Sequence, residues 1–271
     1  MRIRAGYTIS FECSVPTPML FLLHLHPART PDLDEPEHFA VTPNVPYTNY
    51  SDSFGNVCTR LVAPSGTLQL SNRFVIADSG EPEPLPVGVG QMPIEELPDD
   101  TLVFLLGSRY CETQKLMKVA WLLFGDVAPG WARLQAILQY VHGHIRFDYG
   151  QARADRTAHD AHEERVGVCR DFAHLAITLC RCMNIPARYC TGYLGDIGVP
   201  PDPAAMDFSA WVEVFMGGSW YTVDARHLRP RIGRILIARG RDAGDVALST
   251  AFGEARLTEF RVITEEVISA P

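Results

Sequence analysis

The chain has 271 residues, 46% of them hydrophobic, which is enough to bury a large core and to form two domains. Its formal net charge is −8 and no run of Lys or Arg occurs, which argues against nucleic acid or an anionic membrane as a partner, since both require clustered positive charge. Seven cysteines at irregular spacing exclude a complete disulfide framework, and no segment resembles a membrane span. We therefore expect a cytoplasmic protein with a small-molecule or protein substrate.

The first part of the chain alternates apolar and polar residues in the manner typical of strands. Turns rich in proline and glycine separate the short alternating runs, and no helical period is present. We predict an all-β domain over residues 1–85. His24 and His26 share one face of a predicted strand, but no third ligand lies nearby in the sequence, so we interpret them as packed or surface histidines.

Residues 78–100 are rich in proline, glycine and acidic side chains, a composition that favours a linker over a packed element. Beyond this linker the apolar residues recur at helical spacing. Helices are predicted at residues 101–106, 114–124 and 131–144. They begin a second predicted domain, which covers residues 100–271.

Cys169 opens the most informative stretch of the sequence. Phe172, Leu175 and Leu179 recur at helical spacing after it, so we predict a helix with Cys169 in its first turn. There the exposed backbone N–H groups and the helix dipole favour a thiolate, and the neighbouring Arg170 adds positive charge. The alternative is a buried thiol that only fills space, because cysteine is among the most buried residue types.

Two further groups of residues have side chains that can bind metals. They comprise His159, His162, Glu163 and Glu164 before the cysteine helix, and His174, Cys180, Cys182 and Cys190 within or after it. The first group falls in a polar segment, which favours a solvated stretch over a metal site. The cysteines of the second group are two positions apart on a helix, or in the next element, and so point in different directions. We predict no metal site.

Four predicted strands follow the cysteine helix. They are residues 187–194, 207–215, 219–224 and 232–238, with a loop containing proline and glycine over 196–206. A Met-Gly-Gly turn at 216–218 joins the second and third strands as a hairpin. Alternation places Ser209, Trp211 and Glu213 on one face of the second strand.

The order of these pieces resembles the transglutaminase-like cysteine enzymes, which are relatives of the papain-like proteases. The matching motifs are Gly-Val-Cys-Arg-Asp-Phe-Ala-His at 167–174, Ile-Pro-Ala-Arg-Tyr at 185–189, Ala-Trp-Val-Glu-Val at 210–214 and Trp-Tyr-Thr-Val-Asp-Ala-Arg-His at 220–227. The N-terminal domain, with its Asp-Ser-Phe-Gly-Asn turn at 52–56, is similar to the β-sandwich that precedes this core in bacterial members.

The resemblance implies a catalytic triad. In this family a cysteine attacks an amide carbonyl, a histidine on the next strand moves the proton, and an acid on the following strand orients the histidine. Carried over by position, the nucleophile is Cys169 and the orienting acid is Asp224. Ser209 occupies the position of the histidine, and a serine hydroxyl is neither basic near neutral pH nor able to hold a proton as an imidazolium does.

Three explanations of Ser209 stay open. The enzyme recruits another imidazole, for which His227, just past Asp224, and His174, in the cysteine helix, are the nearest in sequence. Alternatively, the pocket is catalytically inactive and binds a ligand or a protein. The third explanation is that the histidine was replaced artificially.

The fold expected from the resemblance is α+β: an N-terminal β-sandwich followed by a transglutaminase-like, papain-like core with helices packed on an antiparallel sheet. The expected function is that of a cysteine-dependent amide-bond hydrolase or acyltransferase that acts on a peptide, a protein or a small amide. The alternative is an inactive, binding module of the same fold. The candidate site residues are Cys169, Asp224, Ser209 and His227. Some relatives use calcium, but no segment has calcium-loop spacing, so no cofactor is expected.

Overall fold

The protein is described by a computed structural model that covers residues 1–201 and 206–267. The helices are α1 (Asp99–Leu102), α2 (Thr113–Phe124), α3 (Trp131–His144), α4 (Ala158–Glu164) and α5 (Cys169–Cys182). The strands are β1 (Arg2–Cys13), β2 (Thr17–Phe21), β3 (Leu33–Glu35), β4 (Ala40–Thr42), β5 (Tyr47–Ser51), β6 (Val57–Ala63), β7 (Gly66–Ala77), β8 (Arg146–Phe147), β9 (Val166–Gly167), β10 (Ala187–Leu194), β11 (Ser209–Met216), β12 (Ser219–Val223), β13 (Arg234–Gly240), β14 (Ser249–Ala251) and β15 (Arg256–Glu266). Helices and antiparallel sheets are segregated, which confirms the α+β class.

The N-terminal strands form a β-sandwich of two antiparallel sheets. One sheet has the strand order β15-β1-β7-β3, with β4 also paired to β7, and the other has the order β14-β2-β6-β5. The apolar residues that alternate along β1 and β2 face each other across the sandwich, where the rings of Phe11 and Phe21 have centroids 5.8 Å apart. This burial is the reason that the alternating sequence folds as a sandwich.

The last two strands return to this sandwich. β14 pairs with β2, and β15 pairs with β1 from Ile3 opposite Glu266 to Glu12 opposite Arg256. The division at residues 1–85 and 100–271 stays a prediction. What the structure adds is that residues 249–266 of the second predicted domain complete both sheets of the first.

The second part of the chain packs helices on the antiparallel sheet β12-β11-β10-β13. α5 is central: α2, α3 and α4 pack around it, and β10 and β11 lie against it. Ala210, Val212 and Val214 belong to the same buried core as α5, whereas Trp211 packs with Cys190 in a small separate cluster. Successive residues of β11 therefore lie on opposite faces of the sheet, as the alternation predicted.

Most predicted elements lie where the sequence placed them. Trp131–His144 and Ala187–Leu194 are a helix and a strand with the predicted bounds, but the helix predicted at 101–106 is only the short α1 followed by a 3-10 turn at Val103–Leu105. The predicted loop at 196–206 falls partly on 202–205, outside the described residues. Within the described part of the chain, no helix is long and apolar enough to cross a membrane.

Candidate active site

Cys169 is the first residue of α5, and its position is fixed by the residues on either side. The carboxylate of Asp171 accepts a hydrogen bond from the backbone N–H of Val168 at 2.9 Å, which satisfies a free donor at the start of the helix. A Cβ on Gly167 would lie 2.6 Å from Asp171 side-chain atoms. Glycine is therefore needed at position 167 because a larger side chain has no space there.

Asp171 is completely buried and is held by a second contact. Nη1 of Arg156, itself buried, lies 3.1 Å from Oδ2 of Asp171. Burial raises the pKa of the Asp171 carboxyl, and the hydrogen bond from Val168 and the nearby arginines oppose that rise. The carboxylate links the first turn of α5 to the preceding segment and so fixes where the thiol points.

The environment of the Cys169 thiol differs from the predicted one. Burial raises its pKa, and the charge of Arg226 and the backbone N–H of Ala210 only partly oppose this. Arg170, which we expected to support a thiolate, instead donates to the carbonyl oxygens of Arg153 and Ala154. The positive charge that favours the thiolate thus comes from Arg226, and burial, which favours the neutral thiol, outweighs it.

Asp224 follows β12 directly and accepts hydrogen bonds on both oxygens. Oδ1 accepts from the backbone N–H groups of Arg226 at 2.8 Å and His227 at 3.2 Å, and Oδ2 accepts from Nη2 of Arg234 at 2.6 Å. Burial alone would raise the pKa of Asp224, but the hydrogen bond from His227 and the charge of Arg234 hold it well below the usual range. Asp224 is therefore an ionised, buried carboxylate.

The imidazole of His227 is held by this carboxylate. Its Nδ1 lies 2.8 Å from Oδ2 of Asp224, and the side chain is 17% exposed. With the Nδ1 proton directed to Asp224, Nε2 carries the free lone pair, and it has no hydrogen-bond partner among residues 1–201 and 206–267. A histidine oriented in this way has the two properties of a general base: a defined tautomer and an available nitrogen.

One cavity of about 190 Å³ brings the predicted residues together. Cys169, Ser209 and His227 all line it, and Asp224 lies behind His227. The remaining lining residues are Tyr149, Ala152, Val168, Leu194, Asp196, Met206, Asp207, Phe208, Arg226 and Arg231. Ser209 is the buried first residue of β11, and its carbonyl accepts from the hydroxyl of Thr191 at 3.1 Å. The cavity is thus lined by a cysteine, a serine and a histidine.

His174, the other imidazole considered from sequence, has a different place. It is completely buried, its Nε2 accepts from the backbone N–H of Ala243 at 3.1 Å, and its ring stacks on Tyr110 with centroids 5.1 Å apart. Burial holds its pKa well below the ordinary value. His174 therefore stabilises the core of α5 as a neutral ring and does not line the cavity.

The other residue groups with metal-binding side chains stay separate. His26 accepts from the N–H of Ala28, and His162 stacks on His144 with centroids 4.6 Å apart. Across the described ranges, no cluster of three or more His, Cys, Asp or Glu has the arrangement of a metal site.

Two residues behind Asp224 were not identified from the sequence. Arg234, at the start of β13, bridges Asp224 and Glu83, whose Oε1 lies 2.8 Å from Nε of Arg234. The side chain of Arg234 is 5% exposed, so this is a buried chain of charges. Glu83 belongs to the segment predicted as a linker. The only sequence signal was an acid-rich segment together with the arginines at 229, 231 and 234.

Comparison with known proteins yields a consistent set of relatives. Residues 125–225 match the family profile described as the transglutaminase-like superfamily. This match includes Cys169, Ser209 and Asp224 and ends two residues before His227. A solved structure from Cytophaga hutchinsonii, described as a candidate cysteine protease, is 32% identical, covers 100% of this chain and 93% of its own, and gives a TM-score of 0.84.

Two other relatives are more distant. An uncharacterized protein of Mycobacterium leprae is 28% identical over 180 residues, which make up 64% of this chain and 58% of that protein. The chain thus spans less than two thirds of the length of this relative. The periplasmic domain of TgpA from Pseudomonas aeruginosa is 15% identical, with 82% of this chain and 88% of that one covered and a TM-score of 0.41.

Proposed function

This chain belongs to the transglutaminase-like superfamily, and on that premise we propose that it is a cysteine-dependent amide-bond hydrolase or acyltransferase in which His227 is the base. The observation that carries the proposal is the 2.8 Å contact between Nδ1 of His227 and Asp224, on an imidazole that lines the cavity of Cys169. Asp224 keeps the orienting role that its position implies. The base it orients lies three residues further along the chain instead of on β11.

The reaction starts from the protonated thiol. As Sγ of Cys169 attacks the substrate carbonyl carbon, Nε2 of His227 takes the thiol proton and the carbonyl π electrons move to oxygen. The tetrahedral intermediate then collapses, the C–N bond breaks, and the imidazolium gives its proton to the departing amine. An acyl-thioester on Cys169 remains.

The thioester is resolved by a second addition. Water or an amine attacks the thioester carbonyl while His227 takes a proton from it, and the proton returns to the departing sulfur. Water gives hydrolysis and an amine gives transamidation. Asp224 stabilises the imidazolium in both halves of the cycle because its ionised carboxylate faces Nδ1.

The burial-raised pKa of Cys169 favours a second candidate function. A thiol that stays protonated at neutral pH, next to Ser209 instead of a strand histidine, suits a pocket that binds a ligand or a protein without turnover. In that case His227 and Asp224 serve only to order the turn after β12.

Steady-state kinetics with a peptide amide and an activated ester separates the two functions. We expect His227→Ala to lower kcat/KM for the amide by about 10²–10⁴-fold and for the ester by less, because an ester leaving group needs less help from a general acid. Cys169→Ala should abolish both activities. His38→Ala, which removes an exposed histidine outside the cavity, is the matched control and should leave both unchanged.

A second variant tests the exchange of the base. Adding Ser209→His to His227→Ala should restore part of the amidase activity, since the new imidazole occupies the position of the family histidine and Asp224 is free to orient it. Wild-type turnover that survives Cys169→Ala would contradict the cysteine mechanism. The absence of any Cys169-dependent turnover in the wild type would favour the binding function.

A further inference from the structure

Two arginines line the cavity of Cys169, and they differ in whether an acidic side chain lies beside them. Nη2 of Arg231 donates to the carbonyl of Gly195 at 2.9 Å and lies 3.9 Å from Asp196. Arg226 differs: among the residues that the structure describes, no carboxylate lies within ion-pair distance of its guanidinium. A pocket that holds an arginine without a counter-charge is complementary to an anionic ligand.

Stacking on two aromatic rings orients the guanidinium of Arg226. Its guanidinium carbon lies 3.7 Å from the ring centroid of Phe147 and 5.7 Å from that of Tyr149. Contact with an aromatic face occupies the flat side of a guanidinium and leaves the N–H groups in its plane free to donate. The backbone N–H of Arg226 is also fixed, by the 2.8 Å hydrogen bond to Asp224. The free donors are therefore held in a defined orientation before any ligand arrives.

Arg226 lines the same cavity as the sulfur of Cys169. Its charge is the main influence that lowers the pKa of the Cys169 thiol against the effect of burial. A group bound by the guanidinium would thus be part of the same molecule that presents its carbonyl to the thiol. Asp207 also lines the cavity and, among the residues that the structure describes, forms no ion pair with Arg226; its carboxyl disfavours an anion at the start of β11.

We propose that Arg226 binds a carboxylate of the substrate, so that the preferred acyl donor carries an anionic group a few bonds from the carbonyl that Cys169 attacks. This inference rests on the proposed function. It names Arg226 as the specificity-determining residue and an acidic acyl compound, such as a dicarboxylic acid amide or an acidic peptide, as the substrate class.

Two 4-nitrophenyl esters of nearly equal size test the inference. One carries a glutaryl group with a free carboxylate and the other carries a primary amide in place of that carboxylate, so the carbon chain is the same and the main difference is the negative charge. We expect the wild type to prefer the glutaryl ester by about tenfold or more in kcat/KM, the range of a charge-assisted hydrogen bond. Arg226→Gln should reduce this ratio to near one, and Arg226→Lys should retain part of it. Arg229→Gln, an exposed arginine outside the cavity, is the matched control and should keep the ratio.

The ratio of kcat/KM for the two esters distinguishes binding of a substrate carboxylate by Arg226 from stabilisation of the Cys169 thiolate. If Arg226 acts only on Cys169, Arg226→Gln lowers kcat/KM for both esters equally, and the proposal is overturned. A wild-type preference for the uncharged ester overturns it as well.

Protection of the thiol provides a readout that does not depend on turnover. Glutarate should slow alkylation of Cys169 by iodoacetamide in the wild type and not in Arg226→Gln, while the neutral diamide of glutaric acid should protect neither. If the wild type turns over neither ester but glutarate protects it, the proposed function fails and the carboxylate site stands. If glutarate does not protect the wild type, the inference fails whatever the activity.

Discussion

At Cys169, the position at the start of a helix and the burial of the sulfur have opposite effects on the pKa of the thiol. The N–H groups of the first turn of α5 favour negative charge on the thiol, whereas burial raises its pKa. Because burial dominates, the nucleophile depends on a base that removes its proton during attack. This dependence gives His227 its importance in the proposed mechanism.

The reactivity of Cys169 should therefore depend on pH in a specific way. Cys169 should react with iodoacetamide faster than the other six cysteines, because those are buried and it is only half-buried. Its rate should still rise with pH above about 8.5, the pKa of an ordinary cysteine, since a raised pKa leaves less thiolate at any lower pH. Peptide mapping after timed alkylation measures this. A rate that is already constant near neutral pH would indicate a preformed thiolate and contradict the prediction.

The sequence could identify some of these residues and not others. The positions of Cys169 at the start of a helix and of Asp224 at the end of a strand were predictable because each follows from the element that carries it. Which of His227 and His174 lines the cavity was not predictable, because it depends on contacts made by other segments: His227 contacts Asp224, and His174 accepts a hydrogen bond from the N–H of Ala243. The rise in the pKa of the thiol was not predicted, because burial by other segments cannot be deduced from the helix alone.

The segment 78–100 is more than a connection between two parts. Its Glu83 forms an ion pair with Arg234, and its Gln91 side chain donates to the carbonyl of Met183 at the end of α5. Both contacts are made with the second part of the chain. The composition predicted an irregular segment, and residues 78–93 form no helix or strand, but composition does not show which acid of the segment has a buried partner.

Glu83 should act as a positioning residue for the Asp224–His227 pair. Removing its charge in Glu83→Gln leaves Arg234 with one carboxylate, so Arg234 should shift and kcat should fall severalfold, up to about tenfold, with KM little changed. Glu81→Gln, an exposed acid two residues earlier, is the matched control and should leave kcat unchanged. An equal effect of both variants would refute the role.

The same pair of variants has a pH signature. Burial raises the pKa of Glu83, against the opposing charge of Arg234, so Glu83 takes up a proton on acidification before an exposed glutamate does. In the wild type, kcat should therefore fall on acidification as Glu83 is protonated and loses its charge. The profile of Glu83→Gln should lack it, because the variant is neutral at every pH.

At the scale of the whole molecule, the C-terminal strand unites the two parts. β15 pairs with β1 along ten positions from Glu12 to Ile3, and Val262 of β15 is 5% exposed, in the same buried core as α5. The pairing was not predicted from sequence because it joins residues at opposite ends of the chain. Alternation predicts that a segment is a strand but not which sheet it completes.

If the molecule unfolds as one unit, a change in the sandwich should be detected in the second part. All four tryptophans lie in residues 121–220, outside the sandwich strands, so their fluorescence reports mainly on the second part. Val262→Ala should lower the free energy of unfolding by roughly 2 kcal/mol and shift the tryptophan transition by that amount. Ile263→Ala, on the exposed side of the same strand, should cost less than about 1 kcal/mol. A tryptophan transition unchanged in Val262→Ala would show that the two parts unfold independently.

The pairing of β1 with β15 also has a consequence for biosynthesis. The ribosome makes β1 long before its edge partner β15, so the nascent sandwich has one long unpaired strand edge while the segment that contains Cys169 is synthesised. Unpaired edges are sites of association between chains, which makes the growing polypeptide more vulnerable to aggregation than the finished protein. Translation rate and chaperone access should therefore affect the yield of this protein more than its final stability does.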